Sequence, residues 1–401
     1  MSQRQRLSHC LIFDSINFVG GSKIATQEML RLKKCQNNRF SVVTANKEYW
    51  LNSQFAKQEN VSVYGVPTIA FLAKCHHGIG FWLHQLFMTV VLAFYWLKLP
   101  RIDQMLGSSG PGMDMPLYVL NTLVNASIIQ LIHGPVGASR SIGYCLTKAN
   151  HVFYLGSAKP SIEKALATFF LSSSEASIVR EKIDAYLHGA HYKTFVNGLP
   201  SEQWPSQCQY DKPSVFWCAS LLRWKGLDLL VEVSRSISHM VDYHTQVCFI
   251  RPKNKALPVS EAPQQVEHFS WHEMPDNLNE IRQSANVFVS TSHNEPFGLS
   301  ILEAMAAGMC VVIPRDNAYW DQVLEHNVNC IKYDACDVNS LTNALLYATS
   351  DITLIKQVGK AAQVVAQDYQ AHAAYDEIAC TLCQPSCESD CVEASKGEAQ
   401  L

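Results

Sequence analysis

The chain has 401 residues, a formal net charge of -3 and 17% charged side chains. That length exceeds one ordinary core and suits two domains, and the near-neutral balance excludes a strong electrostatic pull toward nucleic acid. The composition is that of a soluble globular protein, and the 14 cysteines, scattered through apolar runs such as those holding Cys145, Cys218, Cys248 and Cys310, suit reduced core thiols better than a disulfide framework.

The amino terminus is polar and basic, and Cys10–Phe13 is too short for the apolar segment of a secretory leader, so a cytoplasmic location is expected. Cys10–Phe13 reads instead as a first buried strand. It leads into Phe18-Val19-Gly20-Gly21-Ser22-Lys23, where Gly20 and Gly21 allow close backbone approach and Ser22 is a fair N-cap for a helix from about Lys23 to Lys34. On its own this is equally an ordinary strand-to-helix turn. Strands are expected next at Phe40–Ala45 and Val61–Val66.

Phe81–Leu99 is strongly apolar and close to the ~20 residues that span a bilayer. His84 and Gln85 lie inside it and Pro100 ends it, so a buried helix of the first domain is the expectation. A peripheral membrane contact through an interfacial helix is a further reading. Strands follow at Asp103–Leu106, Ser127–Ile132, His151–Leu155 and Lys193–Val196. His133 stands at the carboxyl end of the second of these, before a Gly134-Pro135 turn, which makes a lone histidine a site candidate as much as a structural one. The Asn197-Gly198 turn and the aperiodic Ser201–Gln207 stretch mark a boundary, giving domains at 1–212 and 213–380 and a disordered acidic tail at 381–401.

The second half repeats the alternation, with strands expected at Ser214–Cys218, Gln246–Ile250, Val266–Phe269, Asn286–Ser290, Cys310–Ile313 and Cys330–Tyr333. Repeated strand–helix alternation predicts parallel sheets covered on both faces, hence two Rossmann-like α/β domains. After the first of these strands comes Ala219–Leu230, in which Lys225 is placed to neutralise a diphosphate and Gly226 lets a helix begin close to a ligand. Cys380, Cys383, Cys387 and Cys391 match no strong metal template and read as cysteines of a helix end and a loose tail.

The most informative segment is Asn294–Gly308. It leaves the Asn286–Ser290 strand, turns at Pro296 and Gly298, and opens a helix near Ser300. Ligands of open α/β sheets bind at that end of the strands, and a helix N-terminus favours an anion. Glu295 and Glu303 cannot favour the anion but can accept hydrogen bonds from hydroxyls beside it, as on a ribose or a sugar. Ser300 and Glu303 also fit a capping box.

A glutamate, seven residues and a second glutamate, with Pro296-Phe297-Gly298-Leu299 between them, resembles the signature of family 4 retaining glycosyltransferases of the GT-B fold. The resemblance implies two Rossmann-like domains facing a central cleft. It implies that Glu303 binds the nucleotide ribose, that Glu295 contacts the donor sugar, and that backbone amides of Phe297, Gly298, Leu299 and Ser300 meet sugar and phosphate. Lys225 with Gly226 resembles the family's Lys-Gly block, including Asp228. The family usually carries Gly-Arg where this chain has Ala219-Ser220, so Arg223 is the candidate to supply the missing charge. The Gly20-Gly21 loop and His133 match further family positions near phosphates and reacting sugar, and Asn197-Gly198-Leu199 matches a structural turn. The match is close from about Val215 to Tyr333 and thin in the first domain. The implied activity is transfer of a sugar from a nucleotide-sugar donor to a glycan or lipid-linked glycan in polysaccharide biosynthesis, without a metal. The alternative is a non-catalytic GT-B subunit that binds a sugar nucleotide or a partner enzyme, which only the Ser220 departure supports.

Overall fold

The computed structural model describes residues 8–17, 20–67, 69–73, 75, 78–171, 176–252 and 257–383. Of the tail expected at 381–401, Thr381–Cys383 instead complete the helix Asp376–Cys383, because Thr381 and Leu382 are buried; the rest, with Cys387 and Cys391, and the Phe18-Val19 pair lie outside the described residues. The chain divides into two compact units. One is Val196–Ala374; the other is Met1–Phe195 joined by the chain from Tyr375. The first change of unit thus falls between Phe195 and Val196, where 212/213 was expected, and the last helix belongs with the amino-terminal half.

In the first unit seven parallel strands are ordered β3-β2-β1-β4-β5-β6-β7. They are β1 (His9–Asp14), β2 (Arg39–Thr44), β3 (Val61–Gly65), β4 (Gln104–Gly107), β5 (Ser127–Ile132), β6 (His151–Leu155) and β7 (Tyr192–Phe195). β1 is buried at every position, as a parallel strand covered by helices on both faces requires. A buried polar knot anchors its carboxyl end. Asp14 accepts from Lys23 Nζ at 2.6 Å, Trp50 Nε1 at 2.6 Å and Thr44 Oγ1 at 3.1 Å, which ties β1 and β2 to the helices that follow them.

The second unit holds six parallel strands in the order β10-β9-β8-β11-β12-β13. They are β8 (Ser214–Ser220), β9 (His244–Ile250), β10 (Phe269–Glu273), β11 (Val287–Val289), β12 (Cys310–Arg315) and β13 (Ile331–Asp334). In both sheets the first strand of the unit lies between the second and the fourth, which is the doubly wound Rossmann arrangement. The direction of winding reverses beside β1 and β4 in one unit and beside β8 and β11 in the other.

Three expectations need correction. The strand placed at Val266–Phe269 is Phe269–Glu273, paired in parallel with β9 from Phe269 opposite Thr245. It is an edge strand of half-exposed, alternating aromatic and polar residues, so a search for apolar runs settles on the wrong segment. The first helix is Gly21–Leu30, capped by Gly20 without any side-chain bond, so Ser22 lies inside it and is not its N-cap. The apolar stretch near residue 90 forms the helix Gly78–Lys98 but is not a core helix. Only 22% of its most apolar window is buried, because one face alone packs on the unit.

In the second unit the helix Ile352–Ala366 closes on the turn before β12 through Gly359, where a Cβ would stand 2.0 Å from the Gly308 carbonyl oxygen. Gly359→Ala is therefore expected to destabilise this unit by about 1–3 kcal/mol through overpacking, read as a lower thermal midpoint.

Candidate active site

Two segments meet at the reversal point of the second sheet, each leaving the carboxyl end of one of the adjacent strands β8 and β11. After β8 the chain makes a single 3-10 turn, Arg223–Lys225, then Gly226 at φ 73° and the helix Leu227–Ile237. After β11 it runs through Ser290–Asn294 to Gly298 at φ 77° and the helix Leu299–Ala306. A Cβ on Gly226 would lie 2.1 Å from the Thr291 carbonyl oxygen, so the backbones touch where only glycine fits. Three hydrogen bonds fasten this crossing. Thr291 Oγ1 donates to the Lys225 carbonyl at 2.9 Å, Trp217 Nε1 donates to Thr291 Oγ1 at 2.9 Å, and His293 N–H donates to the Trp224 carbonyl at 2.8 Å.

The crossing brings Lys225 to Glu295, and the two form an ion pair with side chains only 18% and 14% exposed. Lys225 Nζ also stands 4.0 Å from the centroid of the Trp224 ring. Arg223 is not part of this cluster. Its side chain is 74% exposed and its nearest acid is Asp228 at 3.8 Å, itself bonded to Ser260 at 3.0 Å. In this structure it lies on the Asp228 side, away from the Lys225–Glu295 pair.

Glu303 lies on the first turns of the Leu299–Ala306 helix, which begins at Leu299 with Gly298 as its N-cap, one residue before the expected start. Ser300 is therefore not the N-cap that a capping box requires. Glu303 Oε2 instead pairs with Arg282, a buried guanidinium from the end of the short helix Leu278–Gln283, whose Nη1 also donates to Asn279 at 2.6 Å. Burial raises the Glu303 carboxyl above its usual range, and Arg282 draws it back down. Its Oε1 takes no hydrogen bond among the described residues, and 28% of the side chain stays accessible, so one acceptor oxygen is available to a hydroxyl.

Phe297 is buried, backbone included. The residue is 3% exposed, and its ring packs against Tyr319, Trp320 and Tyr369 at centroid distances of 4.9, 5.1 and 6.0 Å. That cluster props the Glu295–Gly298 turn from behind, and Trp320 Nε1 donates to the Gly298 carbonyl at 3.3 Å. No side chain caps the first turn of the Leu299–Ala306 helix; Ile301 N–H donates to the Gly298 carbonyl at 3.1 Å, which leaves the N–H groups of Leu299 and Ser300 to meet acceptors from outside.

In the first unit Gly20 and Gly21 open their helix at the carboxyl end of β1, and Gly20 has extended backbone (φ -146°) that any residue could adopt. Its place is thus not fixed by backbone strain. His133 follows β5 directly. Thr26 Oγ1 donates its one proton to the Ser22 carbonyl at 2.9 Å, so at 3.2 Å it accepts from His133 Nε2–H. That assigns the proton to Nε2 and leaves Nδ1 buried with no partner among the described residues. Phe195 meets the ring edge-on at 5.4 Å, and burial lowers the His133 pKa to about 4, so the imidazole is neutral near pH 7.

The Asn197-Gly198-Leu199 turn is structural: Leu199 N–H donates to the Tyr369 carbonyl at 2.9 Å and its own carbonyl accepts from Ala371 N–H at 2.8 Å. Cys380 accepts from Lys34 Nζ at 3.2 Å and Cys383 donates to the Lys34 carbonyl at 2.9 Å, and no group of three His, Cys, Asp or Glu side chains among the described residues is arranged to hold a metal. Sequence reasoning missed Arg282. Nothing in its local pattern separates it from a solvated helix arginine.

Residues 201–365 match the family model of glycosyl transferases group 1. No curated protein matches. Among solved structures the chain is similar to HepE of Anabaena in complex with UDP-glucose, at 14% identity and a TM-score of 0.65 over 93% of this chain and 99% of that one. It is similar also to sucrose-phosphate synthase of Thermosynechococcus elongatus (13% identity, TM-score 0.67, 93% and 98% covered) and to a glycosyltransferase of Rickettsia africae (12%, 0.65, 95% and 100%). At these identities the likeness establishes the fold, which is GT-B.

Two outcomes are expected. Gly226→Ala, strained at positive φ and driven into Thr291, should destabilise the protein by roughly 2 kcal/mol or more, read in urea unfolding. His133 has a folded-state pKa below its unfolded value of 6.5, so the stability it contributes as a neutral ring is lost as pH falls from 6.5 to about 4. A His133→Gln protein should lose less stability than the wild type between pH 7 and pH 4.5.

Proposed function

We propose that this enzyme, a GT-B transferase with a glycosyl transferases group 1 domain at residues 201–365, moves a sugar from a nucleoside diphosphate to a hydroxyl of a glycan or lipid-linked glycan, with retention at the anomeric carbon. The observation that carries this reading is the locked crossing of Gly226 and Thr291, which sets Lys225 and Glu295 together beside the amino end of the Leu299–Ala306 helix. Uncapped amides at that helix end accept a diphosphate, and Lys225 adds charge as the leaving group departs. Glu303 offers its free oxygen to the ribose hydroxyls. Glu295 binds the donor sugar, and His133 is assigned near the reacting sugar from the resemblance of its sequence position. In a retaining transfer of this type the departing phosphate takes the proton of the attacking hydroxyl on the same face, so no carboxylate nucleophile is assigned.

HepE has been crystallised with UDP, with UDP-glucose, and with UDP and glucose, which favours a uridine nucleotide as the donor to test first. The polysaccharide-pathway acceptor rests on the family resemblance of the Glu295–Glu303 block. Charge on the leaving diphosphate is assigned to amides and Lys225, so turnover should withstand EDTA.

Calorimetric titration with UDP-glucose and GDP-mannose tests the donor site. Lys225→Ala and Glu303→Ala should each weaken binding of the preferred donor by about 10–100-fold, the loss of one charge-assisted hydrogen bond, with unchanged far-ultraviolet circular dichroism. Unaltered affinity in both would refute the assignment. Ser220→Arg restores a second cation at the end of β8 and should tighten donor binding, since Arg223 is turned toward Asp228.

A further inference from the structure

The Gly78–Lys98 helix is inside out. Its buried positions include His84 and Gln85, followed by Met88 and Leu92, all at most 5% exposed. Its outward positions are Ile79, Leu83, Leu86, Val90, Phe94 and Leu97, each at least half exposed and spaced by three or four residues into one stripe. A helix facing water shows the reverse distribution. Neighbouring helices carry further exposed apolar side chains. Phe71, 76% exposed, lies on the short helix before it, and Leu123, 83% exposed, on the Met115–Val124 helix, which packs alongside. Apolar patches of this extent mark contact surfaces.

The chemistry of the surroundings selects the occupant. No aspartate or glutamate occurs between Glu59 and Asp103. The helix ends in Lys98, whose ammonium lies 4.3 Å from the Phe94 ring centroid, and then Arg101, whose side chain is 73% exposed and stands 3.6 Å from Asp103. Trp82, 54% exposed, stands near the other end. Protein interfaces supply about one hydrogen bond per 100–200 Å², yet none of the six outward side chains can donate or accept one. Hydrocarbon makes no such demand, while cations and tryptophan at the margins suit anionic headgroups and the interfacial zone. The opposite face packs on the first unit through His84 and Gln85, so only one side of the helix is available to lipid.

We propose that the outward stripe of the Gly78–Lys98 helix seats the first unit on an anionic bilayer surface, with the helix lying in the plane of the interface. Lys98 and Arg101 meet the headgroups, and the six apolar side chains enter the acyl boundary. This is independent of the donor site. If transfer also holds, it places the enzyme where a lipid-linked acceptor resides.

The test is flotation of the purified full-length protein with phosphatidylcholine vesicles, with and without phosphatidylglycerol. The protein should float with the anionic vesicles and much less with neutral ones. Leu86→Glu/Phe94→Glu should reduce the floated fraction by roughly tenfold or more, through lost apolar burial, whereas Val364→Glu, an exposed apolar site in the second unit, should not. Lys98→Gln/Arg101→Gln should weaken the preference for the anionic lipid. Should the double glutamate variant misfold, quenching of Trp82 by brominated lipid, compared between wild type and Trp82→Phe, gives the same answer. No flotation, or flotation indifferent to these changes, overturns the proposal. So does a soluble dimer broken by Leu86→Glu/Phe94→Glu, which would make a second copy the occupant. Resistance to alkaline carbonate extraction would overturn the in-plane placement.

Discussion

Two neighbouring strand ends can hold one site only if the segments leaving them can touch, and that contact is what the second unit is organised around. At Gly226 the missing Cβ admits the Thr291 carbonyl into space that any other residue would fill. The hydroxyl of Thr291 then bridges the Lys225 carbonyl and the Trp217 indole, and the Lys225 side chain falls against Glu295. None of these contacts depends on an unusual side chain. They depend on one backbone position that must be both left-handed and bare. A Cβ there would part the two loops and separate the cation from the acid, even with every polar residue of both motifs intact.

Both motif glutamates are charge-compensated within the protein, Glu295 by Lys225 and Glu303 by Arg282. Two bare carboxylates beside a helix N-terminus would repel an anion and cancel the favourable field of the helix. Paired as they are, the local charge is close to balanced and the amides dominate the field at short range. The pairing of Glu303 is also economical in geometry. The guanidinium engages one carboxylate oxygen and leaves the other turned to accept, so neutralisation does not exhaust hydrogen-bonding capacity.

Much of this was legible in the sequence, and the failures have physical causes. Buried parallel strands are apolar along their whole length, so β1, β5, β8 and β12 stand out without any knowledge of their partners. β10, half exposed at a sheet edge, carries no such signal. The site motifs were visible because turn glycines, a lysine and two acids fall at fixed spacing after predicted strands. Their pairing was not, because Arg282 reaches Glu303 from a different helix, and a capping box and an ion pair look identical in one dimension. Phe297 belongs to a ring cluster assembled from residues 319, 320 and 369, which proximity in sequence cannot reveal. The Gly78–Lys98 helix was recognised as apolar, but which of its faces was covered depended on the sheet beneath it.

The path of the last helix has a consequence for dissection of the gene. Asp376–Cys383 returns to the amino-terminal half, where Tyr375 is fully buried beside Phe195. Asp376 pairs with Lys34 at 2.5 Å, Glu377 pairs with Lys193 at 2.5 Å, and the Leu382 carbonyl accepts from Asn38 at 2.7 Å. The polypeptide therefore enters and leaves the second unit as an insertion would, with both crossing points close in sequence to aromatic residues of one core. A fragment ending at residue 195 would lack a structural member encoded almost two hundred codons downstream. Val196–Ala374 is the contiguous piece, and the amino-terminal half is whole only when the chain has been made through the Asp376–Cys383 helix.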